Sequence, residues 1–422
     1  MKHKFYIYIV LSCLLFASGF QTLTAQITTS FTEIKGRIID EQSKNDLVFA
    51  DIIIKDTNIG TITNSDGMFA IKVPDSLINK TLVITHLGYQ KKEIKISSFE
   101  NDSKITLTPA ITTLKEIEVT TFKDAEALLR LTLKNRSTVY NNNNTLMTAF
   151  YRETIKKRNK NASLAEAVVH IHKQPYSNSK DDAIDLIKSR KKTDYSRLDT
   201  LAIKLQGGPF SNLYTDIIKY PEFIFTNEAI PLYQFSFDKS TRINNNLVYV
   251  INFKQKPNIN EPLYYGKLYI DAETLALTNA VYSLNVTNRE LSSRMYIRKK
   301  PNRVEVYPTE ATYRVNYRTK NGKWHYAYSN ILLTFKVNWK GKLFNSVYTL
   351  NSEMAVTDWE ILDSKLDRKK EQTIKPTTIL TEEASGFSDP EFWGEYNIIE
   401  PEKSIESAIE KIKKQLKKDE NI

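Results

Sequence analysis

The chain has 422 residues, and 41% of them are hydrophobic, enough to build two or three domains with substantial cores. Its formal net charge is +11 at pH 7, and Cys13 is its one cysteine. If Cys13 is removed with a leader, disulfides, thiolate metal sites and a cysteine nucleophile are all excluded.

The first 25 residues have the three parts of a secretory signal peptide. A basic start precedes the apolar run 5–20, and Ala25 supplies a small residue at the exit. The run is shorter than the roughly 20 residues that span a bilayer, which favours cleavage after Ala25 over a permanent anchor. Lipoprotein cleavage at Cys13 is a third interpretation, disfavoured because apolar residues follow Cys13 where a polar tether is expected.

This leader predicts an exported protein that is periplasmic, outer-membrane-associated or secreted. No later segment is long and apolar enough for a membrane helix, so the mature chain is predicted to have no membrane-spanning segment. Loss of Lys2 and Lys4 with the leader lowers the net charge from +11 by two, to +9.

The basic residues are dispersed among acidic and apolar stretches, which is typical of solvated strand ends and helix faces. The main clusters lie at 156–158, 188–192, 298–300 and 411–418. Because the chain is predicted to be exported, nucleic acid is not a predicted partner. An anionic surface such as a lipid headgroup layer is an interpretation that the charge leaves open.

Residues 34–120 contain runs of β-forming residues, and Gly, Asn or Asp fill the gaps between them. This pattern predicts an antiparallel β-sandwich. The sequence Asn-Ser-Asp-Gly at 64–67 is interpreted as a hairpin turn, because β-forming residues flank it on both sides.

This segment resembles the carboxypeptidase-regulatory-like domain, a transthyretin-like β-sandwich. The matching residues are Gly36, Ala50 with the run 52–54, the run 63–69, and Gly88-Tyr89. The resemblance implies a non-catalytic module of outer-membrane receptors and other surface proteins. Residues 114–120 also resemble the segment that precedes a receptor plug, but too few residues follow for a plug and a large barrel. A complete transporter is therefore not predicted.

Residues 121–145 are predicted to form a helical connector, because apolar residues from Ala125 to Leu133 fall at helical spacing. Residues 146–365 are predicted to form a curved antiparallel sheet, a half-barrel. An insertion at 205–233, which begins with Gly207-Gly208-Pro209, is expected to lie over this sheet. The chain is thus predicted to be mainly β with a few helices.

Strand alternation is clearest in the second half of that sheet. Asn321-Gly322 predicts a hairpin between two aromatic-rich strands. The apolar stripe of the strand before the turn contains Tyr313, Val315 and Tyr317. The stripe of the strand after the turn contains Trp324, Tyr326 and Tyr328.

The sheet domain is similar to the half-barrels of lipoprotein-sorting and related envelope proteins. The similarity rests on residues 266–271, the turn that follows them and the returning strand. In those relatives the concave apolar face holds acyl chains, so the similarity implies an apolar ligand on the aromatic stripes. The alternative is that the stripes pack against the helical connector as ordinary core.

Residues 366–422 are predicted to form a C-terminal extension. Its loop at 389–394 carries Phe392 and Trp393, and an amphipathic helix is predicted at 404–418. The lysines of that helix suit its C-terminal dipole, and a membrane-surface helix is the alternative.

No catalytic, cofactor-binding or metal-binding residue is predicted, and no cofactor. The histidines beyond the leader are His86, His170, His172 and His325, and none begins a zinc-peptidase motif. His170 and His172 lie two apart on a predicted strand and face one side, but a third ligand cannot be assigned. The serine-hydrolase motif Gly-x-Ser-x-Gly and a phosphate loop are missing from the sequence too.

The sequence therefore predicts a non-enzymatic, exported envelope protein that binds a lipid or an envelope protein partner. Its leading form is a binding or adaptor module with an apolar ligand in the curved sheet. One alternative is an accessory of outer-membrane uptake or assembly that works through protein contacts. The other is a hydrolase with an unmarked pair of carboxylates. A cavity inside the curved sheet favours the first, a filled sheet with an exposed apolar patch favours the second, and a cleft with two facing carboxylates favours the third.

Overall fold

The computed structural model describes residues 30–110, 122–158, 160–194, 205–243, 246–298, 300–341, 343–362, 373–386 and 392–402. The predicted signal peptide and the predicted helix at 404–418 lie outside the described residues. Within the described residues, no helix is both long enough and apolar enough to cross a membrane.

The amino-terminal part is a sandwich of a three-stranded sheet, ordered β4-β1-β7, and a four-stranded sheet, ordered β3-β2-β5-β6. The strands are β1 (Phe31–Asp40), β2 (Asp51–Ile54), β3 (Gly60–Ile62), β4 (Met68–Pro74), β5 (Thr81–Thr85), β6 (Lys92–Lys95) and β7 (Ser103–Leu107). Alternate residues of β1 and β2 are buried, because side chains alternate between the two faces of a strand. Ile38, Ile52, Phe69 and Ile84 meet in the core between the sheets. The predicted sandwich is confirmed, with one parallel pair, β1 and β7.

The predicted hairpin at residues 64–67 is wrong. The turn itself forms, since the Met68 backbone N–H donates to Asn64 Oδ1 at 3.0 Å and Gly67 has a φ of 70°. However, β3 pairs with β2 and β4 pairs with β1. The Ile38 N–H donates to the Gly67 carbonyl at 2.8 Å, which directs the chain into the other sheet. The turn therefore joins the two layers of the sandwich.

The rest of the chain forms an 11-stranded, unclosed sheet in the order β11-β12-β13-β14-β15-β16-β17-β8-β9-β10-β18. Its strands are β8 (Thr145–Lys157), β9 (Lys160–Lys173), β10 (Ala183–Thr193), β11 (Tyr233–Ile243), β12 (Asn246–Gln255), β13 (Tyr264–Asp271), β14 (Leu277–Leu284), β15 (Val304–Lys320), β16 (Lys323–Trp339), β17 (Ser346–Ile361) and β18 (Ser385–Gly386). Neighbours are antiparallel except for β10 and β18. The predicted fold class, mainly β with a curved sheet and few helices, is confirmed.

We call the two sides of this sheet the inner face, on which Tyr151 and Val169 lie, and the outer face, on which Phe150 and Val168 lie. The predicted Asn321-Gly322 turn joins β15 to β16, and both residues have positive φ, 50° and 72°. Such values match the type I′ turn that two-residue hairpins favour.

The predicted stripe of Trp324, Tyr326 and Tyr328 does not stay on one face. A register shift places Tyr326 opposite Tyr317 and Tyr328 opposite Asn316, so β16 has one extra residue. An extra residue reverses the alternation of every side chain after it. Tyr326 therefore packs on the inner face, whereas Tyr328 packs on the outer face.

The described helices are short, and they are α1 (Ala125–Lys134), α2 (Arg136–Val139), α3 (Pro209–Leu213), α4 (Arg289–Tyr296) and α5 (Leu380–Glu383). The helices α1 and α2 precede the first strand of the large sheet. Asp124 caps α1 by accepting from the Glu126 N–H at 3.0 Å. Leu128 and Leu129 of α1 are fully buried against the inner face of the sheet.

The sandwich packs on the outer face of the sheet, and the C-terminal segment (residues 392–402) lies at their junction. From the sandwich, Thr61 Oγ1 donates to the Ile398 carbonyl at 3.1 Å, and Asn64 Nδ2 donates to the Glu400 carbonyl at 3.0 Å. From the sheet, Arg152 donates to the Ile399 carbonyl at 2.9 Å. The C-terminal segment therefore hydrogen bonds to both parts of the protein.

A buried ionic cluster lies under this segment. Arg152 and Arg190 approach the two oxygens of Glu166 at 2.7 and 2.8 Å, and Arg152 also contacts Glu353 at 3.3 Å. Burial alone would raise the pKa of Glu166, but the two guanidinium groups hold that pKa below its ordinary value. Trp393 covers the cluster, with the Arg190 guanidinium 4.8 Å from its ring centre.

Truncation of Trp393 tests the contribution of the C-terminal segment. Trp393 is 5% exposed and packs edge-on against Phe150, with ring centroids 5.3 Å apart. We expect Trp393→Ala to lower the free energy of unfolding by about 3–5 kcal/mol, because it leaves a cavity beside buried charges. Phe223, which is 51% exposed, is the control, and Phe223→Ala should cost less than about 1 kcal/mol. Urea unfolding measures both, and equal losses would contradict the assigned role of Trp393.

Candidate functional site

The inner face of the large sheet carries the predicted aromatic stripes except for Tyr328, and other parts of the chain cover this face. Side chains from β8, β9, β12–β14 and β15–β17 form one apolar cluster with α1 and with residues 210–230. Phe210, Leu213 and Ile218 from the insertion are buried in that cluster. These residues therefore cover part of the inner face. We call α1, α2 and residues 205–232 together the covering layer.

A buried ionic cluster attaches the covering layer to the sheet. Lys173 Nζ lies 2.7 Å from Asp182 and 2.7 Å from Asp216, and all three side chains are at most 1% exposed. Lys173 belongs to β9, whereas Asp216 belongs to the insertion. Burial would lower the pKa of Lys173, but the two carboxylates outweigh burial and raise it. The lysine is therefore held in its charged form.

Tyrosine hydroxyls satisfy the remaining oxygens of this cluster. Tyr176 and Tyr317 each donate to Asp216 at 2.8 Å, and Tyr220 donates to Asp182 at 2.7 Å. Buried carboxylates need such donors, because an unpaired buried charge costs several kcal/mol. The cluster thus joins β9, β15 and the insertion.

Asn212 fastens the covering layer at a second place. Its Nδ2 donates to the Ser329 carbonyl of β16 at 3.1 Å, and its Oδ1 accepts from Ser352 Oγ of β17 at 2.8 Å. Tyr140, at the end of α2, donates to the Leu277 carbonyl at 2.7 Å. With these polar contacts and the apolar cluster, the stripes pack as core beneath the covering layer.

Glu153 is a buried carboxyl group on the inner face outside the Lys173 cluster. It is 2% exposed and accepts a hydrogen bond from Tyr151 at 2.7 Å. Burial raises its pKa to about 7, even though the Tyr151 hydroxyl opposes the rise. Glu153 is therefore a buried carboxyl group whose protonation changes near neutral pH.

A cleft of about 580 Å³ separates the sandwich from the edge of the β14–β16 region. The sandwich contributes apolar side chains that are half-buried, Ile53 and Val83, and the sheet contributes Trp324. Lys55, Lys91, Arg318 and Lys320 line it together with the acidic residues Asp51 and Asp56. The cleft is thus apolar at its base and carries both signs of charge at its rim.

At one end of this cleft, Arg318 connects the sheet to the sandwich, because its Nε donates to Asp51 at 3.0 Å. Gly60 permits the approach, because a Cβ there would lie 3.1 Å from an Arg318 terminal nitrogen and 2.8 Å from the Ile52 carbonyl. Arg318 also lies 5.6 Å from the ring of Trp359, on which His325 stacks at 4.9 Å. Burial lowers the pKa of His325 to about 4, and the nearby Arg318 adds to this effect.

The histidines do not converge. His172 binds Asp185 at 2.7 Å, and burial lowers the pKa of the neighbouring His170. His86 and His325 lie elsewhere, in the sandwich interface and beside Trp359. Within the parts of the chain that the structure describes, no group of three or more His, Cys, Asp or Glu side chains could hold a metal ion.

Comparison with known families confirms the resemblance of the first segment. Residues 34–119 match the model of the CarboxypepD_reg-like domain. This match covers the sandwich and about a fifth of the chain. A search of curated proteins found no match.

Solved structures similar to the chain include lipoprotein-sorting proteins. A putative outer membrane lipoprotein-sorting protein domain from Vibrio parahaemolyticus is 11% identical, with a TM-score of 0.24, over 58% of this chain and 94% of that one. A LolA superfamily protein from Nitrosomonas europaea is 8% identical, with a TM-score of 0.22, over 57% and 94%. A DUF1329 family protein from Desulfovibrio piger is 10% identical, with a TM-score of 0.22, over 59% and 98%. These are the relatives that the sheet domain was expected to resemble, but TM-scores this low carry no argument about function.

Removal of the Lys173 charge tests the cluster that holds the covering layer. We expect Lys173→Met to lower the free energy of unfolding by about 3–5 kcal/mol, because two buried carboxylates lose their counter-ion. Lys267 provides a matched control, since it also binds an aspartate, Asp238, at 2.7 Å but is 48% exposed. Lys267→Met should cost less than about 1 kcal/mol by urea unfolding. A loss below 1 kcal/mol for Lys173→Met would show that the cluster does not hold the layer.

The raised pKa of Glu153 predicts a pH dependence of stability. In the folded form the pKa of Glu153 is about 7, whereas its ordinary value is 4.5. The stabilisation that comes from protonated Glu153 is therefore complete below pH 4.5 and is lost as the pH rises through 7. The loss should be on the order of 3 kcal/mol. We therefore expect Glu153→Gln to be more stable than the wild type at pH 8, with a smaller advantage at pH 5, in urea unfolding. Glu290→Gln, at a 75% exposed side chain, is the control and should show no such difference.

Proposed function

We propose that the chain is a non-enzymatic, exported cell-envelope protein that acts as an accessory of uptake or assembly through protein contacts. The observation that carries this choice is the filled inner face. Phe210, Leu213 and Ile218 occupy the place that an apolar ligand would need, and the Lys173 cluster holds them there. The sandwich, which matches a regulatory-like domain, supports the assignment to an adaptor.

The cleft between the sandwich and the sheet is the proposed contact site. Its apolar base, Ile53 beside Val83 on paired strands, suits apolar side chains of an extended segment. Its rim carries four basic side chains and two acidic ones, so a segment with some acidic residues is complementary. The proposed partner is therefore an envelope protein that inserts an extended, apolar and acidic segment.

A hydrolase is the weaker proposal. Asp182 and Asp216 are two carboxylates that face each other, as a hydrolase would require, but Lys173 lies between them. Both are at most 1% exposed, and their oxygens accept bonds from tyrosines. A substrate could reach them only after the covering layer had left.

Native mass spectrometry of the protein purified from envelope extract tests the proposal. We expect a stoichiometric protein partner, and we expect the double variant Ile53→Thr/Val83→Thr to lose most of it. Threonine keeps the β-branched shape that a strand favours but removes apolar contact in the cleft. Ile361→Thr, at a 53% exposed position outside the cleft, is the control and should retain the partner.

Co-purified lipid without a protein partner would favour the first sequence-based hypothesis, a ligand carrier, and would contradict the proposal. Recovery of the bare chain from a cross-linked extract would contradict both. Loss of the partner from Ile361→Thr as well would contradict the placement in the cleft but not the adaptor function.

A further inference from the structure

Three connections meet at one end of the large sheet, away from the cleft. They are residues 158 and 160 at the turn between β8 and β9, residues 297–298 and 300–303 between α4 and β15, and residues 340–341 and 343–345 between β16 and β17. Arg158 N–H donates to the Val347 carbonyl at 2.8 Å, and Lys340 N–H donates to the Arg303 carbonyl at 3.0 Å. These bonds place the three connections side by side. We call them together the basic end.

The basic end exposes two large apolar side chains. Leu343 is 95% exposed and Phe344 is 78% exposed, and they are adjacent at the tip of the β16–β17 connection. No other large hydrophobic side chain among the described residues is as exposed as either of them. Single exposed apolar residues are common, but two at the tip of a protruding hairpin are typical of a surface that contacts another phase or molecule.

Exposed cations lie on the same three connections as these two side chains. The exposed basic residues of the three connections are Arg158, Lys160, Arg298, Lys300, Arg303 and Lys340. Residues 156–160, 297–303 and 339–347 contain no Asp or Glu. The nearest acidic residue along β15, Glu305, accepts a hydrogen bond from Asn338 at 2.9 Å. Arg158 and Lys160 thus lie at the same end of the sheet as Arg298 and Lys300, although they are distant in the sequence.

We propose that the basic end docks on an anionic lipid headgroup surface, with Leu343 and Phe344 inserted into the boundary between headgroups and acyl chains. Apolar side chains that penetrate this boundary and cations that meet anionic headgroups are the two contributions that hold proteins at membranes. A protein interface of standard size buries about 800 Å² on each partner, and two apolar side chains within a ring of like charges do not provide such a core. Charge complementarity therefore favours a lipid surface.

Vesicle co-sedimentation with the full mature chain tests this proposal. We expect binding to vesicles of phosphatidylcholine that contain ~30% phosphatidylglycerol, because an anionic surface attracts basic segments. We expect little binding to vesicles of pure phosphatidylcholine. The double variant Leu343→Ser/Phe344→Ser should reduce the partition coefficient at least about tenfold. Phe223→Ser, at an exposed position of the covering layer, is the control and should bind as the wild type does.

A second pair of variants tests the charge. Lys160→Glu/Lys340→Glu should reduce partitioning at least about tenfold, because each cation near an anionic surface contributes roughly a factor of five. Lys95→Glu/Lys104→Glu makes the same change in net charge on exposed positions of the sandwich and should have little effect. Urea midpoints equal to the wild type would show that all four variants fold.

Equal binding to the two kinds of vesicle, or the same loss in the control variants, would overturn the proposal. If Leu343→Ser/Phe344→Ser binds vesicles normally but loses a protein partner from extract, the surface belongs to a protein and the proposal is wrong. The cleft variants Ile53→Thr/Val83→Thr should bind vesicles normally, so this inference and the proposed function fail independently.

Discussion

The middle strands of the large sheet are buried on both faces, and this constraint determines most of the structure. A buried polar side chain in the middle of β8 or β9 cannot reach water on either side, so it must find a partner in the protein. On the outer face, Arg152 and Glu166 bind each other and the backbone of the C-terminal segment. On the inner face, Lys173 binds Asp216 of the insertion. Each ionic cluster thus selects the segment that covers its face, because another segment would leave a buried charge unpaired.

Features that depend on neighbouring residues could be predicted from the sequence. The alternation around Tyr249 and Ile251 marks a strand because side chains alternate with a period of two. The Asn321-Gly322 turn was recognisable because these residue types tolerate positive φ. The apolar spacing from Ala125 to Leu133 indicated α1 in the same way. The sandwich was recognisable by its ordered set of short matches.

Features that depend on distant residues could not be predicted. The sequence of the turn at Asn64 is compatible with two arrangements, in which its flanking strands pair with each other or with β1 and β2. Contacts with the rest of the sandwich determine which pairing forms. Nothing in β16 marks the extra residue that moves Tyr328 to the outer face. Lys173 gives no local sign of its partners either, since Asp216 lies 43 residues further along the chain. For Trp393, the sequence showed an aromatic loop but not the surface that it covers.

The position of the C-terminal segment has a consequence for biogenesis. Asn64 of the sandwich binds a carbonyl 336 residues later, and Arg152 binds one 247 residues later. Chains are made and exported from the amino terminus, and domains fold as they emerge. The sandwich is therefore able to fold early, whereas its hydrogen bonds to residues 392–402 form only after the last described segment has been made. A chain truncated before residue 392 would keep the direct contact of Arg318 with Asp51 between the sheet and the sandwich, but it would lose the segment that hydrogen bonds to both parts.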